Sequence, residues 1–128
     1  MKQLLALICT LALSVTAHAG SFPDISLDAL KAAIADKSAT LIDVNGTASF
    51  KDGHIPGAID FAANQKDMAP KLPADKTALI VAYCGNENCG AYARAAEAAK
   101  ELGYTNVQHF KPGLAGWKAS GGGLEKAE

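Results

Sequence analysis

The 128-residue sequence has neither an excess nor a cluster of basic side chains. Lys and Arg number 12 against 13 Asp and Glu, which gives a formal net charge of −1 at pH 7. The lysines are scattered singly along the chain. Because nucleic acids are bound largely through clustered positive charge, this composition gives nucleic-acid binding no electrostatic support.

Long apolar runs are also scarce. The one long run covers residues 4–15, follows Lys2 and precedes the small-residue ending Ala17-His18-Ala19. This order predicts a secretory signal peptide over residues 1–19. The run is too short to span a bilayer comfortably, which argues against a membrane anchor. We therefore expect a periplasmic or secreted protein whose soluble domain, residues 20–128, does not contact a membrane.

Cysteine is sparse, with three residues in the chain. Cys9 lies inside the apolar run and would leave with the signal peptide, so Cys84 and Cys89 remain, with four residues between them. An exported compartment is oxidising, and this pair can form a disulfide there. Together with His54 and His109 the pair matches no closed zinc pattern, so neither a metal nor another cofactor is expected.

Short apolar runs alternate with segments of helical spacing. Strands are predicted over residues 39–44, 58–62, 79–83 and 107–110. Helices are predicted over 47–51, 66–72 and 91–102, and within 22–37 after an N-cap at Ser26. This alternation predicts one α/β domain with a mostly parallel central sheet flanked by helices. The glycine-rich tail, residues 121–128, is expected to be mobile.

The most informative stretch is residues 78–90, where an apolar run leads to Cys84, then to a polar loop and an alanine-rich helix. Cys84 is thus placed where a strand ends and faces the N-terminus of the next helix. Unpaired N–H groups and the helix dipole favour an anion at such a place. They can lower a thiol pKa from about 8.5 into the range of roughly 3.5–7.5. The pattern predicts that Cys84 is a nucleophile rather than a buried structural cysteine.

Several motifs, in order and at fitting spacing, resemble the single-domain rhodanese family of sulfurtransferases. They are Leu41-Ile42-Asp43-Val44, the Gly-His-Ile-Pro-Gly-Ala segment at 53–58, Tyr83-Cys84, the turn at 103–107, and Pro112-Gly113 with Trp117 and Gly121. The resemblance covers most of the chain that follows the predicted signal peptide. It implies a rhodanese-like fold and an active-site cysteine at Cys84.

The resemblance also implies a substrate-binding loop around the cysteine. Its candidate residues are Gly85, Asn86, Glu87, Asn88, Cys89 and Gly90, with Asp43 and Asn45 at the end of a neighbouring strand. The backbone N–H groups of the loop are expected to surround the sulfur. Asp43 is interpreted either as a structural partner of loop amides or as a catalytic group, and His54 as a residue that shapes its own turn.

Two arginines that the family often carries are missing from this sequence. Asn45 stands where a DVR motif has arginine, and Cys89 stands where a C-x-x-G-x-R loop has arginine. Glu87 occupies the position of the loop glycine. Because the loop has no cationic side chain and gains a carboxylate, we expect an anionic donor such as thiosulfate to be captured weakly.

The leading hypothesis is a monomeric sulfurtransferase that carries sulfur from a small donor, through a Cys84 persulfide, to a thiol or other acceptor. A second hypothesis is dithiol–disulfide exchange in the cell envelope, with Cys89 as resolving thiol. A third is a non-catalytic binding module of the same fold. Phosphate-ester hydrolysis is disfavoured because Gly90 stands where the C-x5-R motif of phosphatases requires arginine.

Overall fold

A computed structural model describes residues 22–128, so the predicted signal peptide lies outside the described residues. The strands are β1 (Ala39–Asp43), β2 (Ile59–Asp60), β3 (Leu79–Tyr83) and β4 (Val107–His109), and the helices are α1 (Leu27–Ala35), α2 (Thr47–Asp52), α3 (Phe61–Asn64), α4 (Tyr92–Glu101) and α5 (Gly113–Ala119). A 3-10 turn covers Ala69–Lys71. Within residues 22–128, every helix is too short or too polar to cross a bilayer.

The four strands form one sheet in the order β2-β1-β3-β4, and every pair is parallel. The α/β prediction with a parallel sheet is therefore confirmed. After β1 the chain adds β2 on one side and then returns to add β3 on the other side. Parallel sheets bind ligands at such a switch point, beyond the carboxyl ends of the strands. The residue that follows β3 at this switch point is Cys84.

The two faces of β3 pack into two different apolar clusters. Ile80 and Ala82 belong to the cluster that contains the buried alanines of α4, whereas Val81 and Tyr83 belong to the cluster on the other face. Because side chains alternate along a strand, the next residue turns towards the α4 face. Cys84 is indeed part of the α4 cluster. The alternation of side chains along β3 therefore places the Cys84 sulfur on the face that packs against α4.

Helix α4 lies close to the sheet because its inner face is made of small side chains. Ala95, Ala96 and Ala99 are buried there. Alanine also has the highest helix propensity, so the same composition that forms the helix permits its close packing. The predicted range of 91–102 agrees with the observed Tyr92–Glu101 to within one residue at each end.

Two of the sequence predictions between β1 and β3 are wrong in detail. The strand predicted over 58–62 ends at Asp60, because its side chain accepts a hydrogen bond from the Ala63 N–H (3.3 Å) and begins α3. The helix predicted over 66–72 is only a 3-10 turn, Ala69–Lys71. Pro70 lies in that turn and cannot donate a backbone hydrogen bond, which removes one contact that an α-helix would need.

The C-terminal tail, predicted to be mobile, is instead bound to the domain. Glu125 exchanges two backbone hydrogen bonds with His54, both 2.9 Å. The Trp117 indole N–H donates to the Gly123 carbonyl at 2.8 Å. The absence of a Cβ at Gly122 allows the chain to pass against the indole ring. Glycines here permit close contact rather than mobility.

Candidate active site

Cys84 is fully buried and its sulfur lies at the N-terminus of α4. The backbone N–H of Tyr92, the first residue of α4, donates to Cys84 Sγ at 3.1 Å. The residue at the N-cap, Ala91, offers no side-chain hydrogen bond. The sulfur therefore takes the place of a capping oxygen, and the partial positive charge of the helix terminus stabilises a thiolate there once the cysteine is reduced.

Helix α5 holds the backbone on the other side of the sulfur. The Leu114 and Ala115 N–H groups donate to the carbonyls of Cys84 and Gly85 at 2.9 and 2.8 Å. Gly113 has φ +63, and a Cβ on it would lie 2.6 Å from the Cys84 carbonyl oxygen and 2.8 Å from the Asn86 nitrogen. This close approach requires glycine. It was not predicted from the sequence, although the Pro112-Gly113 pair marked the place.

Gly113→Ala is expected to displace the Cys84 loop and to slow the reactions of the reduced Cys84 thiol by about a hundredfold, the cost of misplacing a reacting group by about 1 Å. The matched control is Gly121→Ala. Gly121 has φ +79 and open space around its Cβ position, so this change carries similar backbone strain without the clash. The reaction rate of the reduced Cys84 thiol and the free energy of unfolding are measured for both variants. Equal thiol reaction rates in the two variants would contradict the role given to Gly113.

Cys89 forms a disulfide with Cys84, across a Cα–Cα distance of 6.0 Å. Unlike Cys84, it is partly exposed. The loop between them is folded on Asn86, whose carbonyl accepts from the Cys89 N–H (3.3 Å) and whose side chain accepts from the Asn88 N–H (2.9 Å). The N–H groups of Asn88 and Cys89 therefore donate hydrogen bonds within the turn and not to the sulfur. This differs from the expectation that the loop N–H groups surround the sulfur.

Asp43 is fully buried, and both of its carboxylate oxygens are occupied. Oδ1 accepts from the Asn45 N–H and Oδ2 from the Tyr83 hydroxyl, each at 2.7 Å. The same hydroxyl accepts from the Ile55 N–H at 3.1 Å. Burial raises the pKa of Asp43 above its ordinary value, against the opposing effect of these hydrogen bonds. Burial also raises the pKa of Tyr83, which stays protonated as a donor.

These contacts join the ends of β1 and β3 to the turn at His54 and Ile55. Asn45 approaches the loop more directly, because its Oδ1 would be 3.2 Å from a Cβ on Gly85. His54 is buried in this turn, where its Nδ1 donates to the Phe50 carbonyl at 2.7 Å and its ring stacks on that of Phe50.

A cleft of about 360 Å³ opens beside Cys89. Its walls come from the start of the described chain, the cysteine loop, α4 and the end of β4, and they comprise Phe22, Asp24, Glu87, Asn88, Cys89, Gly90, Tyr92, His109 and Lys111. Asp24, Tyr92 and Lys111 were not among the predicted site residues. Their sequence positions are far apart, and no motif joins them.

His109 is the most enclosed titratable group of this cleft, with 6% of its surface exposed. Its Nδ1 lies 3.2 Å from Asp24 Oδ1, and its ring stacks on Tyr92 with 3.4 Å between centroids. Its Nε2 is buried and has no hydrogen-bond partner. Burial lowers the pKa of His109, while Asp24 opposes that effect.

The described residues contain no group of three or more His, Cys, Asp or Glu side chains that could hold a metal ion. Cys84, Cys89 and His109 lie in or near the same cleft, but His54 is engaged at the turn with Phe50. The site brings the two sulfurs, the N-terminus of α4 and the His109 imidazole close together.

Residues 26–120 match the model of the rhodanese-like domain family. The chain belongs to this family. Among solved structures, it is similar to the rhodanese-like domain of the Alr3790 protein from Anabaena sp., with 26% identity, a TM-score of 0.65, and coverage of 82% of this chain and 80% of that one. The sequence prediction of a rhodanese-like fold is thereby confirmed.

The fold also occurs in SseA from Escherichia coli, described as a 3-mercaptopyruvate sulfotransferase. That similarity has 21% identity and a TM-score of 0.67, and it covers 84% of this chain and 51% of SseA. A curated relative is the HTH-type transcriptional regulator Rv0324 of Mycobacterium tuberculosis, 34% identical over 83 residues. The match spans 64% of this chain but only about a third (35%) of that regulator.

Proposed function

We propose that this rhodanese-like chain is a sulfurtransferase that carries a sulfane sulfur on Cys84. The observation that supports this most directly is the hydrogen bond from the first N–H of α4 to Cys84 Sγ (3.1 Å), at the carboxyl end of a central parallel strand. This position stabilises a sulfur anion, whether thiolate or persulfide. The occurrence of sulfur-transferring enzymes in the same fold agrees with it.

The reaction has two displacements. The Cys84 thiolate attacks the outer sulfur of a donor, and the bond between that sulfur and the rest of the donor breaks. The remainder, sulfite in the case of thiosulfate, leaves with the electron pair. An acceptor thiolate then attacks the outer sulfur of the persulfide, and Cys84 leaves as a thiolate that the Tyr92 N–H stabilises.

A second candidate function, dithiol–disulfide exchange, is favoured by one observation, the Cys84–Cys89 disulfide. In that reaction the pair would pass between dithiol and disulfide, and no sulfur would be added to the protein. Cys89→Ser separates the two functions. Sulfur transfer through Cys84 survives this change, whereas cycling through an intramolecular disulfide stops.

The test is the mass of the reduced chain after exposure to a sulfur donor. A gain of one sulfur located on Cys84 supports the sulfurtransferase. A loss of two hydrogens without any sulfur adduct at any time supports the exchange function. If neither change occurs with any of several donor classes, the chain is a binding module of this fold and the proposed function is wrong.

Cys89→Arg is expected to increase activity with thiosulfate. Position 89 lies in a cleft with the carboxylates of Asp24 and Glu87, which oppose a dianion, and with one exposed cation, Lys111. A charge-assisted contact contributes roughly 1.5–3 kcal/mol, so a guanidinium should raise kcat/KM by about tenfold to a hundredfold. Steady-state kinetics with thiosulfate measure the effect.

The matched control for this change is Cys89→Ser, which removes the same thiol and adds no charge. It should leave the low rate of persulfide formation from thiosulfate on the reduced chain near its original value. If the reduced wild type already turns thiosulfate over as fast as the arginine variant, backbone N–H groups suffice for the donor and the electrostatic explanation fails.

We also propose that the chain acts as a monomer outside the cytoplasm, where the cysteine pair meets an oxidising environment. The apolar run at residues 4–15 supports export. N-terminal sequencing of the protein from an envelope extract is expected to begin at Gly20. A cytoplasmic pool that still begins at Met1 would refute this localisation.

A further inference from the structure

The Asp24–His109 pair has no part in the two displacements at Cys84. The pair is nonetheless firmly held. The His109 N–H donates to the Pro23 carbonyl at 2.8 Å, and the His109 carbonyl accepts from the Ile25 N–H at 2.9 Å. These bonds attach the start of the described chain to the end of β4, and they bring Asp24 to the imidazole.

The hydrogen bonding also determines which imidazole nitrogen carries the proton. The Asp24 carboxylate only accepts, so His109 Nδ1 carries the hydrogen and donates across 3.2 Å. The lone pair then lies on Nε2, which is buried and unpartnered. The ring is held flat against Tyr92, whose own N–H contacts Cys84 Sγ. The oriented imidazole belongs to a residue that lines the same cleft as Cys89, and its unpartnered Nε2 is buried at that wall.

We propose that His109, oriented by Asp24, is the proton acceptor for the Cys89 thiol when Cys89 closes onto the persulfide of Cys84. This inference rests on the proposed function, because it needs a persulfide on Cys84. It adds a resolution step in which the carried sulfur leaves as sulfide. It also makes a dithiol the class of reductant that completes the cycle.

The step balances as follows. His109 Nε2 takes the proton of the Cys89 thiol, and the resulting thiolate attacks Sγ of Cys84. The bond from that Sγ to the outer sulfur breaks, and the outer sulfur leaves with the electron pair and takes a proton from solvent to become hydrosulfide. The sulfane sulfur is reduced to sulfide and the two cysteines are oxidised to the disulfide present in the structure. An external dithiol then reduces that disulfide and is itself oxidised.

The charges around the imidazole favour a neutral base. Asp24, near the start of the described chain, and Tyr92, on α4, both contact the imidazole. The Lys111 ammonium, just after β4, acts on it through its charge. Glu87 and Cys89 face the cleft from the loop. Burial lowers the pKa of His109 most, the Lys111 charge lowers it further, and Asp24 raises it. The resulting pKa lies below the ordinary pKa of histidine. The imidazole is therefore unprotonated near pH 7 and can accept a proton.

The experiment follows closure of the pair in a single turnover with thiosulfate as donor. Reduced wild type, His109→Phe and His109→Gln are treated with thiosulfate, quenched at intervals and analysed by mass for persulfide and disulfide. Phenylalanine keeps a flat ring against Tyr92, and glutamine keeps a polar side chain, but neither is a base. The conversion of persulfide into disulfide is measured from about pH 5 to about pH 9.

In the wild type this conversion should become independent of pH above a bend that lies below pH 6.5, the ordinary His pKa. In both variants persulfide should accumulate, and closure near pH 7 should be about a hundredfold slower. The variants should then gain about tenfold in rate per pH unit until the Cys89 thiol ionises unaided. Lys111→Met keeps the base and removes the charge that lowers its pKa, so its bend should move to higher pH.

Two kinds of failure can be told apart. If the reduced Cys89→Ser variant, which cannot close, forms no persulfide with any donor class, the proposed function fails. If persulfide forms but closure has the same rate and pH profile in the His109 variants, the proposed role of His109 is wrong. Circular dichroism checks the fold, and if neither His109 variant folds, the comparison of wild type with Lys111→Met decides. A bend that does not move in that comparison would overturn the proposal.

Discussion

Cys84→Ser is expected to abolish persulfide formation and sulfur transfer while the fold is retained. Serine is close to cysteine in size, and its oxygen can still accept the hydrogen bond that the Tyr92 N–H gives to Sγ. A hydroxyl at this position stays protonated, however, and is not a competent nucleophile towards sulfur. The loss should reach the level of the reaction without protein, measured by donor consumption and by the mass of the chain.

Cys89→Ser is the matched control, because it removes the same disulfide and keeps the nucleophile. Both variants should give the circular dichroism spectrum of the wild type. Persulfide should appear in the Cys89 variant alone. Sulfur transfer by a folded Cys84→Ser chain would show that another group carries the sulfur, and the assignment of Cys84 would then be abandoned.

The oxidised chain is expected to form no persulfide until a thiol opens the disulfide, and the thiol should attack Cys89. Cys84 is fully buried, whereas Cys89 is partly exposed. Attack on the accessible sulfur makes Cys84 the leaving group, and the helix terminus stabilises its thiolate. The products are a mixed disulfide between Cys89 and the added thiol, and a free thiolate at Cys84, the nucleophile that sulfur transfer needs.

Which cysteine the thiol attacks can be determined by alkylating the cysteine that is released. The oxidised chain is mixed with one equivalent of a small monothiol and alkylated at once, and fragment-ion mass spectrometry locates both groups. The thiol is expected on Cys89 and the alkyl group on Cys84. Cys89→Ser, which has no disulfide to open, should form persulfide without any reductant. Alkylation of Cys89 in place of Cys84 would show that access does not control the opening.

Local sequence patterns were enough to predict β3 and α4, the strand and the helix that position Cys84. The prediction for β3 was correct at both ends, and that for α4 was correct to within one residue. An apolar β-branched run and an alanine-rich helical segment are patterns that neighbouring residues define by themselves. Where local sequence patterns were weak, tertiary packing determined whether a helix formed. Helix α5 contains Gly113 and Gly116, which lower helix propensity, and it was not predicted.

The sequence by itself therefore determined the α/β class, the parallel sheet and the place of Cys84 between a strand and a helix N-terminus. Only the tertiary structure decided that the Asp43 carboxylate accepts hydrogen bonds from the Tyr83 hydroxyl and the Asn45 N–H. It also decided that Gly113 packs against the cysteine loop. It alone brought Asp24 to His109 beside Cys89. The physical reason is that these contacts join residues far apart in the chain, and burial and hydrogen-bond geometry form them only when the sheet and helices assemble.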